Sequence, residues 1–322
     1  MSKKMFDAQE HTRRVMEQMD AKQEFRAWIV INEFLNTNKF SEITHYLLVA
    51  AGMRGIRLNV YTNAEIIIGA PLPEERPDFV LFWDKDILLA RYLEGLGIPV
   101  FNSSDAIAVC DDKRLTYMAL ADSGIPMPKT LIAPFTYDNI GYNKFDFLDK
   151  VENELTYPIV VKEAFGSFGM QVYLVHNHEE MTAKLQEISP KPVIFQEFLA
   201  EFQGTDLRLQ VVGDEVVACM LRYSVNGDFR ANVSIGGKMQ KYTPTQEQCE
   251  MAVKAVKTLG LDFAGVDLLF GADEKPVLCE VNSNAHFKTI FDCTGVNVAD
   301  KIICHVRERM RDRVLQSEKT VR

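Results

Sequence analysis

Apolar and polar positions divide the first third of the chain into short strand-like runs separated by helical spacings. Apolar runs of about four to eight residues predict buried strands, whereas apolar residues at helical spacing predict helices. Strands are expected at residues 27–34, 57–61, 65–68, 78–83 and 99–102, and helices at 41–52, with Ser41 as N-cap, and at 86–96. Strands alternating with helices favour a parallel sheet, so residues 26–110 are predicted to form a Rossmann-like N-terminal domain.

After residue 110, the sequence predicts antiparallel hairpins instead of strands that alternate with helices. One hairpin is predicted to turn at Gly213-Asp214 and another to cover residues 264–282, and Thr243 with Pro244 is expected to begin the helix between them. The other expected elements are helices at 111–124, 179–188 and 298–315 and strands at 157–163 and 171–175. We therefore expect a central lobe over 111–195, a C-terminal lobe over 196–322 and a polar extension over 1–25.

Composition and charge restrict the class of protein. Of 322 residues, 47% are hydrophobic and 25% charged, as in ordinary globular proteins of two or three domains. No apolar run approaches the roughly 20 residues that span a bilayer, and the N-terminus lacks the apolar core of a signal peptide. A net charge of −9 argues against a nucleic-acid binder, and six scattered cysteines favour a reducing compartment. We expect a cytoplasmic protein without membrane or nucleic-acid partners.

Three oxygen-bearing side chains are predicted to converge in the second hairpin. Glu280 and Asn282 lie two apart in one strand and therefore share a face. If the turn is centred between Asp273 and Glu274, a symmetric hairpin places Asp267 opposite Glu280. Hard oxygen ligands select magnesium or manganese over zinc, and so few of them leave positions for water and nucleotide phosphates. The pattern also leaves open a solvated face of a two-sided sheet.

A lysine and a glycine loop form a second candidate site. Lys162 ends a very apolar strand, where a lysine normally needs an anionic partner. The Gly166-Ser-Phe-Gly169 loop that follows exposes backbone N–H groups that can bind phosphate oxygens. It is not a Walker A loop, because the Gly-Lys-Ser/Thr ending is absent and a strand follows. Alone, such a loop is more often an ordinary turn; next to Lys162 and with the carboxylate hairpin it predicts a nucleotide site.

Taken in chain order, these motifs resemble the ATP-grasp superfamily and, within it, the RimK-type α-L-glutamate ligases. The resemblance runs from about Asn102 to Arg307 and rests on the segments CDDKRLTYMALADSGIPMPKT, YPIVVKEAFGSFGMQV, FQEFLAEFQGTDLRLQVVGDEVVACMLR, GDFRANVSIGG, LDFAGVDLLF, VLCEVN and TGVNVADKI. It implies an α/β, three-lobed ATP-grasp fold with a Rossmann-like N-terminal domain. It also implies an ADP-forming carboxylate–amine ligase that works through an acyl phosphate.

The resemblance also implies roles for individual residues. The implied ATP-binding residues are Lys113, Lys162, Gly166, Ser167, Gly169, the hinge residues Gln196, Glu197, Phe198 and Leu199, and Asp206 near the ribose or hinge. Arg230 is implied as the catalytic arginine beside the acyl phosphate. Asp267, Glu280 and Asn282 coincide with the family's magnesium ligands, with two ions implied and manganese as a substitute. Arg208, Arg222 and Asn232 line the substrate region in relatives, although exposed hairpin positions would explain the two arginines equally well.

The chain departs from the family pattern directly after Asn282. Relatives commonly continue with Pro-Gly, whereas this chain reads Ser-Asn-Ala-His-Phe. Asn284 and His286 are therefore candidate substrate-binding residues, with a packed loop histidine as the alternative. The implied substrates are a small-molecule, peptide or protein carboxylate and an amino-acid amine, with glutamate or a similar amino acid as one component. Relatives are often dimers or tetramers, so a homodimer or homotetramer is expected.

Two other functions fit the same motifs. A phosphotransferase on this fold would stop at a phosphorylated product without forming an amide. A nucleotide-binding protein that has lost its chemistry is the second alternative, but retention of both lysines, Arg230 and the complete metal triad argues against it.

Overall fold

The computed structural model describes residues 24–35, 37–166, 169–233 and 236–320. These residues divide into two compact units. Unit one comprises the described residues up to Asp105 and those from His286 onward, and unit two comprises those between Ala106 and Ala285. The predicted extension over 1–25 lies outside the described residues, except for its last two positions.

The secondary structure alternates strands and helices in unit one and is richer in strands in unit two. In chain order, the elements are β1 (Phe25–Ile31), α1 (Asn38–Met53), β2 (Ile56–Thr62), β3 (Phe79–Phe82), α2 (Ile87–Gly95), β4 (Val100–Phe101), α3 (Ser104–Asp111), α4 (Lys113–Leu120), β5 (Thr130–Ile132), α5 (Leu148–Glu154), β6 (Ile159–Glu163), β7 (Val172–Val175), α6 (His178–Ile188), β8 (Val193–Glu197), β9 (Thr205–Val212), β10 (Glu215–Tyr223), β11 (Lys238–Lys241), α7 (Gln246–Thr258), β12 (Phe263–Phe270), β13 (Pro276–Asn282), α8 (Lys288–Thr294) and α9 (Val298–Thr320).

Unit one is built on a parallel sheet with the strand order β2-β1-β3-β4. Successive residues of the central strand β1, from Ala27 to Val30, are all buried, as expected for a parallel sheet that is covered on both faces. The predicted parallel sheet of the N-terminal domain is therefore confirmed. The strand predicted at 65–68 is wrong, because the Glu65 carboxylate accepts hydrogen bonds from the Thr62 backbone N and Oγ1 and the chain turns there.

The C-terminal helix belongs to unit one. Helix α9 packs against α1, and an ion pair of 2.8 Å joins Arg54 to Asp300. Arg307 forms a second ion pair with Glu24, immediately before β1. The sequence-based boundaries placed all of 196–322 in one lobe, whereas residues 286–320 lie in unit one, since the apolar stripe of α9 is buried there. The division of the preceding residues into a central and a C-terminal lobe stays a prediction.

Unit two contains two antiparallel sheets, each with one face on its own core. The four-stranded sheet has the order β5-β8-β6-β7, and the five-stranded sheet has the order β11-β10-β9-β12-β13. Ile159 and Val161 of β6 pack in a core with α5 and α6, whereas Leu207 and Leu209 of β9 pack in a core with α7. Because alternate residues point to opposite faces, Lys162 and other even-numbered positions of β6 and β9 project from the other side of their sheets.

Two helix starts differ from those predicted. Helix α1 begins after Thr37 instead of Ser41. Helix α7 is capped by Thr245 instead of Thr243, because the Thr245 side chain accepts from the Gln248 backbone while the Gln248 side chain accepts from the Thr245 backbone. Both predicted hairpins are present. Over the described ranges, none of the helices is long and apolar enough to cross a membrane.

Candidate active site

Unit two contains an open cleft of about 880 Å³, solvent included, whose walls come from both of its sheets. The predicted site residues that line it are Lys162, Gly169, Gln196, Glu197, Phe198, Leu199, Asp206, Arg222, Arg230, Asn232, Asp267 and Glu280. The structure therefore brings together residues of the predicted strand lysine, glycine loop, hinge, arginine and carboxylate motifs, while their roles as ligand contacts stay predictions. The other described candidates of unit two do not line this cleft: Lys113, Gly166, Arg208, Asn282 and Asn284.

The carboxylate hairpin has the predicted register at its candidate metal ligands. Asp267 on β12 faces Glu280 on β13, and Gly265 faces Asn282. Facing residues and alternate residues of a strand share one side of a sheet, so the side chains of Asp267, Glu280 and Asn282 project together. The predicted facing pair is confirmed.

A β-bulge at Cys279 contributes to that register. Beyond Asp267 the pairing shifts by one position, and Cys279 is the extra residue. The turn is centred on Asp273, half a position before the predicted centre. The extra residue of the bulge shifts the pairing by one position, so that Asp267 still faces Glu280. The bulge also allows two consecutive residues, Cys279 and Glu280, to line the cleft while Leu278 packs in the core.

Two acids and two arginines alternate beside this hairpin. Asp206 and Arg208 lie on β9, and their facing partners are Arg222 on β10 and Asp267 on β12. The Arg208 guanidinium donates through Nε and Nη2 to both oxygens of Asp267. Arg222 donates through Nε and Nη2 to Asp206 at 2.6 and 2.7 Å, and its Nη2 lies 3.1 Å from Asp267 Oδ2. Arg222 therefore bridges the two aspartates across the intervening strand.

The electrostatics of this network follow from its burial. Burial raises the pKa of Asp206 against the opposing effect of Arg222. Burial would also raise the pKa of Asp267, but Arg208 and Arg222 together hold it below its ordinary value of 3.8. Arg222 is only 5% exposed, so the alternative of exposed hairpin arginines is wrong for it. Both Asp206 oxygens bind Arg222 in the structure, whereas the sequence-based prediction placed Asp206 at the ribose or hinge.

The candidate metal ligands are carboxylate and amide oxygens, the type of ligand that a hard divalent cation prefers. In the described part of the chain, no group of three His, Cys, Asp or Glu side chains could hold a metal ion. A cation here would therefore rely on two carboxylates and the Asn282 amide, which is an all-oxygen set that suits magnesium. Glu280 is partly exposed at the cleft, and its nearest cation, Lys113 Nζ, is 3.8 Å away. The residues fit magnesium, provided that Asp267 shares its oxygens with the arginines.

Two lysines lie close to this hairpin. Lys162 on β6 is only 8% exposed, and its Nζ lies 3.8 Å from Cys279 Sγ. Within the ranges that the structure describes, Lys162 has no carboxylate within ion-pair distance, which is unusual for a buried lysine. Lys113, at the start of α4, donates from Nζ to the Gly166 carbonyl oxygen at 3.4 Å. A buried, unneutralised ammonium beside a cleft favours an anionic ligand.

The glycine loop requires its glycines and is held by the arginine predicted to act in catalysis. Gly166 and Gly169 have φ values of +156° and +73°. A Cβ atom at Gly169 would lie 2.7 Å from Asn232 Oδ1. Arg230 Nη1 donates to the Gly169 carbonyl oxygen at 2.7 Å, while its Nε and Nη2 bind Asp228. Ser167, predicted to bind phosphate, lies outside the described residues.

The predicted hinge is fixed by the strand beside it. Glu197 Oε1 accepts from the Lys129 backbone N at 2.7 Å, and Gln196 Nε2 donates to Thr130 Oγ1 at 2.8 Å. Around Gln196 the cleft wall is apolar, and the apolar residues that line the cleft include Pro128, Val160, Leu199, Leu269 and Phe270. An apolar slot next to the backbone groups of this partly buried hinge can accept the flat face of a nucleotide base.

The other predicted residues are placed as follows. Arg208 binds Asp267 and does not itself line the cleft, Asn284 follows β13 in unit two, and His286 lies in unit one, where its ring packs edge-on against Phe40. The packed-histidine alternative for His286 is consistent with this contact. Sequence reasoning missed Asp228 and Thr130, which orient Arg230 and Gln196; the Asp two positions before Arg230 in GDFRAN was the available signal for the first.

The fold and the cleft define an ATP-grasp protein, in which two antiparallel sheets enclose a site made of lysines, a glycine loop and a carboxylate hairpin. Residues 110–306 match the model of the RimK-like ATP-grasp domain. The chain belongs to the RimK-like ATP-grasp family. The predicted family and fold class are therefore confirmed.

Similar proteins support this family assignment. The chain is 32% identical over 255 residues to human N-acetylaspartylglutamate synthase A, covering 78% of this chain and 62% of that protein, so it spans less than two thirds of that relative. It is 34% identical over 223 residues to a probable alpha-L-glutamate ligase of Legionella pneumophila, covering 69% and 71% of the two chains. The ATP-grasp ligase PsnB, solved with a phosphomimetic variant of its minimal precursor, Mg and ADP, has a similar fold, with a TM-score of 0.65 and 19% identity over 88% of this chain and 98% of that one.

Proposed function

We propose that this protein is an ADP-forming ligase that uses ATP and magnesium to join a carboxylate to an amine through an acyl phosphate. The observation that supports it most is the buried Lys162, which has no carboxylate partner among the described residues and lies in a cleft opposite two facing carboxylates. A triphosphate with a bound divalent cation would neutralise both sets of charges, because its oxygens would pair with the lysine and its cation would bind the carboxylates.

The pairing of charges beside the cleft leaves the lysines for an anionic ligand. Arg222 binds Asp206 and Arg208 binds Asp267, whereas the closest approach of Lys113 to Glu280 is 3.8 Å and Lys162 has no carboxylate within ion-pair distance among the described residues. Because the arginines are paired with the two aspartates, the lysines are the cations available to a ligand. Phosphate groups are expected next to Lys113 and Lys162, under the backbone N–H groups of the glycine loop.

In the proposed reaction, an oxygen of the substrate carboxylate attacks the γ-phosphorus and the bond to the β-phosphate oxygen breaks, which releases ADP. Lys162 and the loop amides stabilise the charge that develops on the transferred phosphoryl group. A neutral amine then attacks the acyl carbon, the C–O bond to phosphate breaks with its electron pair on the phosphate, and the nitrogen loses a proton to solvent, which leaves an amide bond. Arg230, whose guanidinium is held by Asp228 and Gly169, is the proposed donor to the acyl phosphate.

Magnesium held by Asp267, Glu280 and Asn282 would neutralise charge on the nucleotide phosphates when bound. The two-ion stoichiometry and the substitution by manganese remain proposals. For the substrates, the names of the human and Legionella relatives support glutamate or a similar amino acid as one component, joined to a small-molecule, peptide or protein partner. A homodimer or homotetramer and a cytoplasmic location also remain proposals, the first testable by sedimentation.

The test is a product assay. The protein is incubated with ATP, magnesium and pooled amino acids, with and without candidate carboxylates, and ADP, orthophosphate and condensed products are measured by coupled assay and mass spectrometry. Orthophosphate release that depends on an amine, with a product whose mass is the sum of both substrates minus water, supports the ligase. A stable phosphoester with no amide would show a phosphotransferase instead.

A further inference from the structure

A short chain of buried hydrogen bonds lies behind the predicted hinge. Gln196 Nε2 donates to Thr130 Oγ1 at 2.8 Å, and Thr130 Oγ1 donates to the Pro128 carbonyl oxygen at 2.8 Å. Thr130 is 4% exposed and Gln196 is 7% exposed. Thr130 faces Gln196 across the β5–β8 pair, so the register of the two strands holds the hydroxyl and the amide together.

The hydrogen-bond chemistry of Thr130 permits only one orientation of the Gln196 amide. A threonine hydroxyl has a single hydrogen, and a carbonyl oxygen can only accept. The Thr130 hydrogen is therefore used by the Pro128 carbonyl, and Thr130 Oγ1 must accept from Gln196. Only the amide nitrogen can donate, so Gln196 Oε1 points away from Thr130.

Gln196 Oε1 is available to a ligand. It accepts no hydrogen bond from any residue in the ranges that the structure describes, and Gln196 lines the cleft. The wall beside it is largely apolar, because Val160 faces Gln196 across the β6–β8 pair and Pro128 also lines the cleft, with Lys162 two positions beyond Val160. An isolated acceptor in an apolar slot discriminates strongly between a ligand that offers a hydrogen and one that offers a lone pair, since the second leaves two acceptors face to face.

We propose that Thr130 is a positioning residue that sets base selectivity, by fixing Gln196 with its acceptor toward the base. The inference rests on the proposed function and on the apolar slot beside the hinge as the place where the nucleotide base binds. A purine with an exocyclic amino group, as in adenine, can donate to Gln196 Oε1. A 6-oxo purine, as in hypoxanthine, presents an acceptor at that position, and a purine without a 6-substituent makes no bond there.

The test compares three nucleotides on the full-length protein with magnesium present: ATP, ITP and purine riboside triphosphate, which lacks the amino group. Titration calorimetry gives the affinities, and a thermal melt of each variant verifies folding. Thr130→Val keeps the shape and removes the hydroxyl, so the Gln196 amide can rotate and present its nitrogen. Thr130→Ser keeps the hydroxyl. Thr182→Val is the matched control, because the buried Thr182 hydroxyl on α6 makes no hydrogen bond with the described residues.

We expect the unsubstituted protein to prefer ATP over purine riboside triphosphate by about tenfold or more, as one hydrogen bond to an otherwise unpaired group supplies. Thr130→Val should reduce the ATP-to-ITP preference by about tenfold, while Thr130→Ser and Thr182→Val keep it. An unchanged preference in a folded Thr130→Val variant overturns the inference and leaves the ligase proposal standing. If Thr130→Val does not fold, the affinities of the unsubstituted protein still test the inference, because equal affinity for ATP and purine riboside triphosphate overturns it. Failure to bind any of the three contradicts the proposed function itself.

Discussion

Replacing Asp267 and Glu280 by their amides separates the structural part of the carboxylate hairpin from its proposed catalytic part. Asp267→Asn and Glu280→Gln each remove one negative charge and keep the shape of the side chain. Both should lower kcat by at least about a hundredfold, because each removes a group proposed to stabilise developing charge. Their effects on stability should differ sharply, since the two carboxylates have different surroundings.

Asp267 is 4% exposed and binds two guanidinium groups, Arg208 through both oxygens and Arg222 at 3.1 Å. Removing one partner of a buried ion pair costs about 3–5 kcal/mol, because the remaining charges are left buried. At about 3 °C per kcal/mol, Asp267→Asn should melt about 10 °C lower. Glu280 is 31% exposed, and its cation, Lys113, is 3.8 Å away, so Glu280→Gln should change stability by at most about 1 kcal/mol.

Melting followed by circular dichroism and ADP release at saturating magnesium measure the two effects. The reasoning is refuted if Asp267→Asn has the same melting temperature as the unsubstituted protein, or if Glu280→Gln lowers the melting temperature as much as Asp267→Asn does. Near-normal turnover of either variant would count against the metal assignment.

The effect of Asp267→Asn on the melting temperature should depend on pH, and the ion pairs of Asp267 determine the direction of that dependence. Arg208 and Arg222 hold the pKa of Asp267 below its ordinary value of 3.8, in spite of burial. A carboxyl whose pKa is lowered on folding stabilises the fold above its unfolded pKa and loses that contribution as the pH falls through its folded pKa. The difference in melting temperature between the unsubstituted protein and Asp267→Asn should therefore be full at pH 7 and shrink below about pH 4. A difference that grows in acid would contradict the direction of this shift.

Three further substitutions test other contacts. Gly169→Ala forces a side chain onto a residue with a φ of +73° and onto Asn232 Oδ1, so the KM for ATP should rise several-fold and the melting temperature should fall by about 3 °C; an unchanged KM would show that the loop does not contact the nucleotide. Arg230→Ala should abolish product while calorimetry shows nucleotide binding close to normal, whereas a collapse of ATP affinity would show that its role is misassigned. Thr245→Ala removes the capping box of α7 and should lower stability by about 1 kcal/mol, measured by urea unfolding, with turnover unchanged.

Local patterns of the sequence were sufficient for the parts of the site that lie within one hairpin or loop. The facing pair of Asp267 and Glu280 followed from strand periodicity and the position of the turn. The glycine loop was predicted from its glycines. The positive φ of Gly169 is a backbone conformation that only glycine adopts without strain. Even here the register depended in part on the bulge at Cys279, which nothing in the apolar pattern of that strand indicates.

The tertiary structure alone decided which charges neutralise one another. From the sequence, Arg208 and Arg222 were predicted to be substrate contacts or exposed hairpin residues. Only the pairing of β9 with β10 and β12 shows that they bind Asp267 and Asp206. It likewise decided that α9 packs in unit one. Hydrophobic periodicity records which side of an element is buried, but it holds no information about the distant surface that buries it, because that contact is made between residues far apart in the chain.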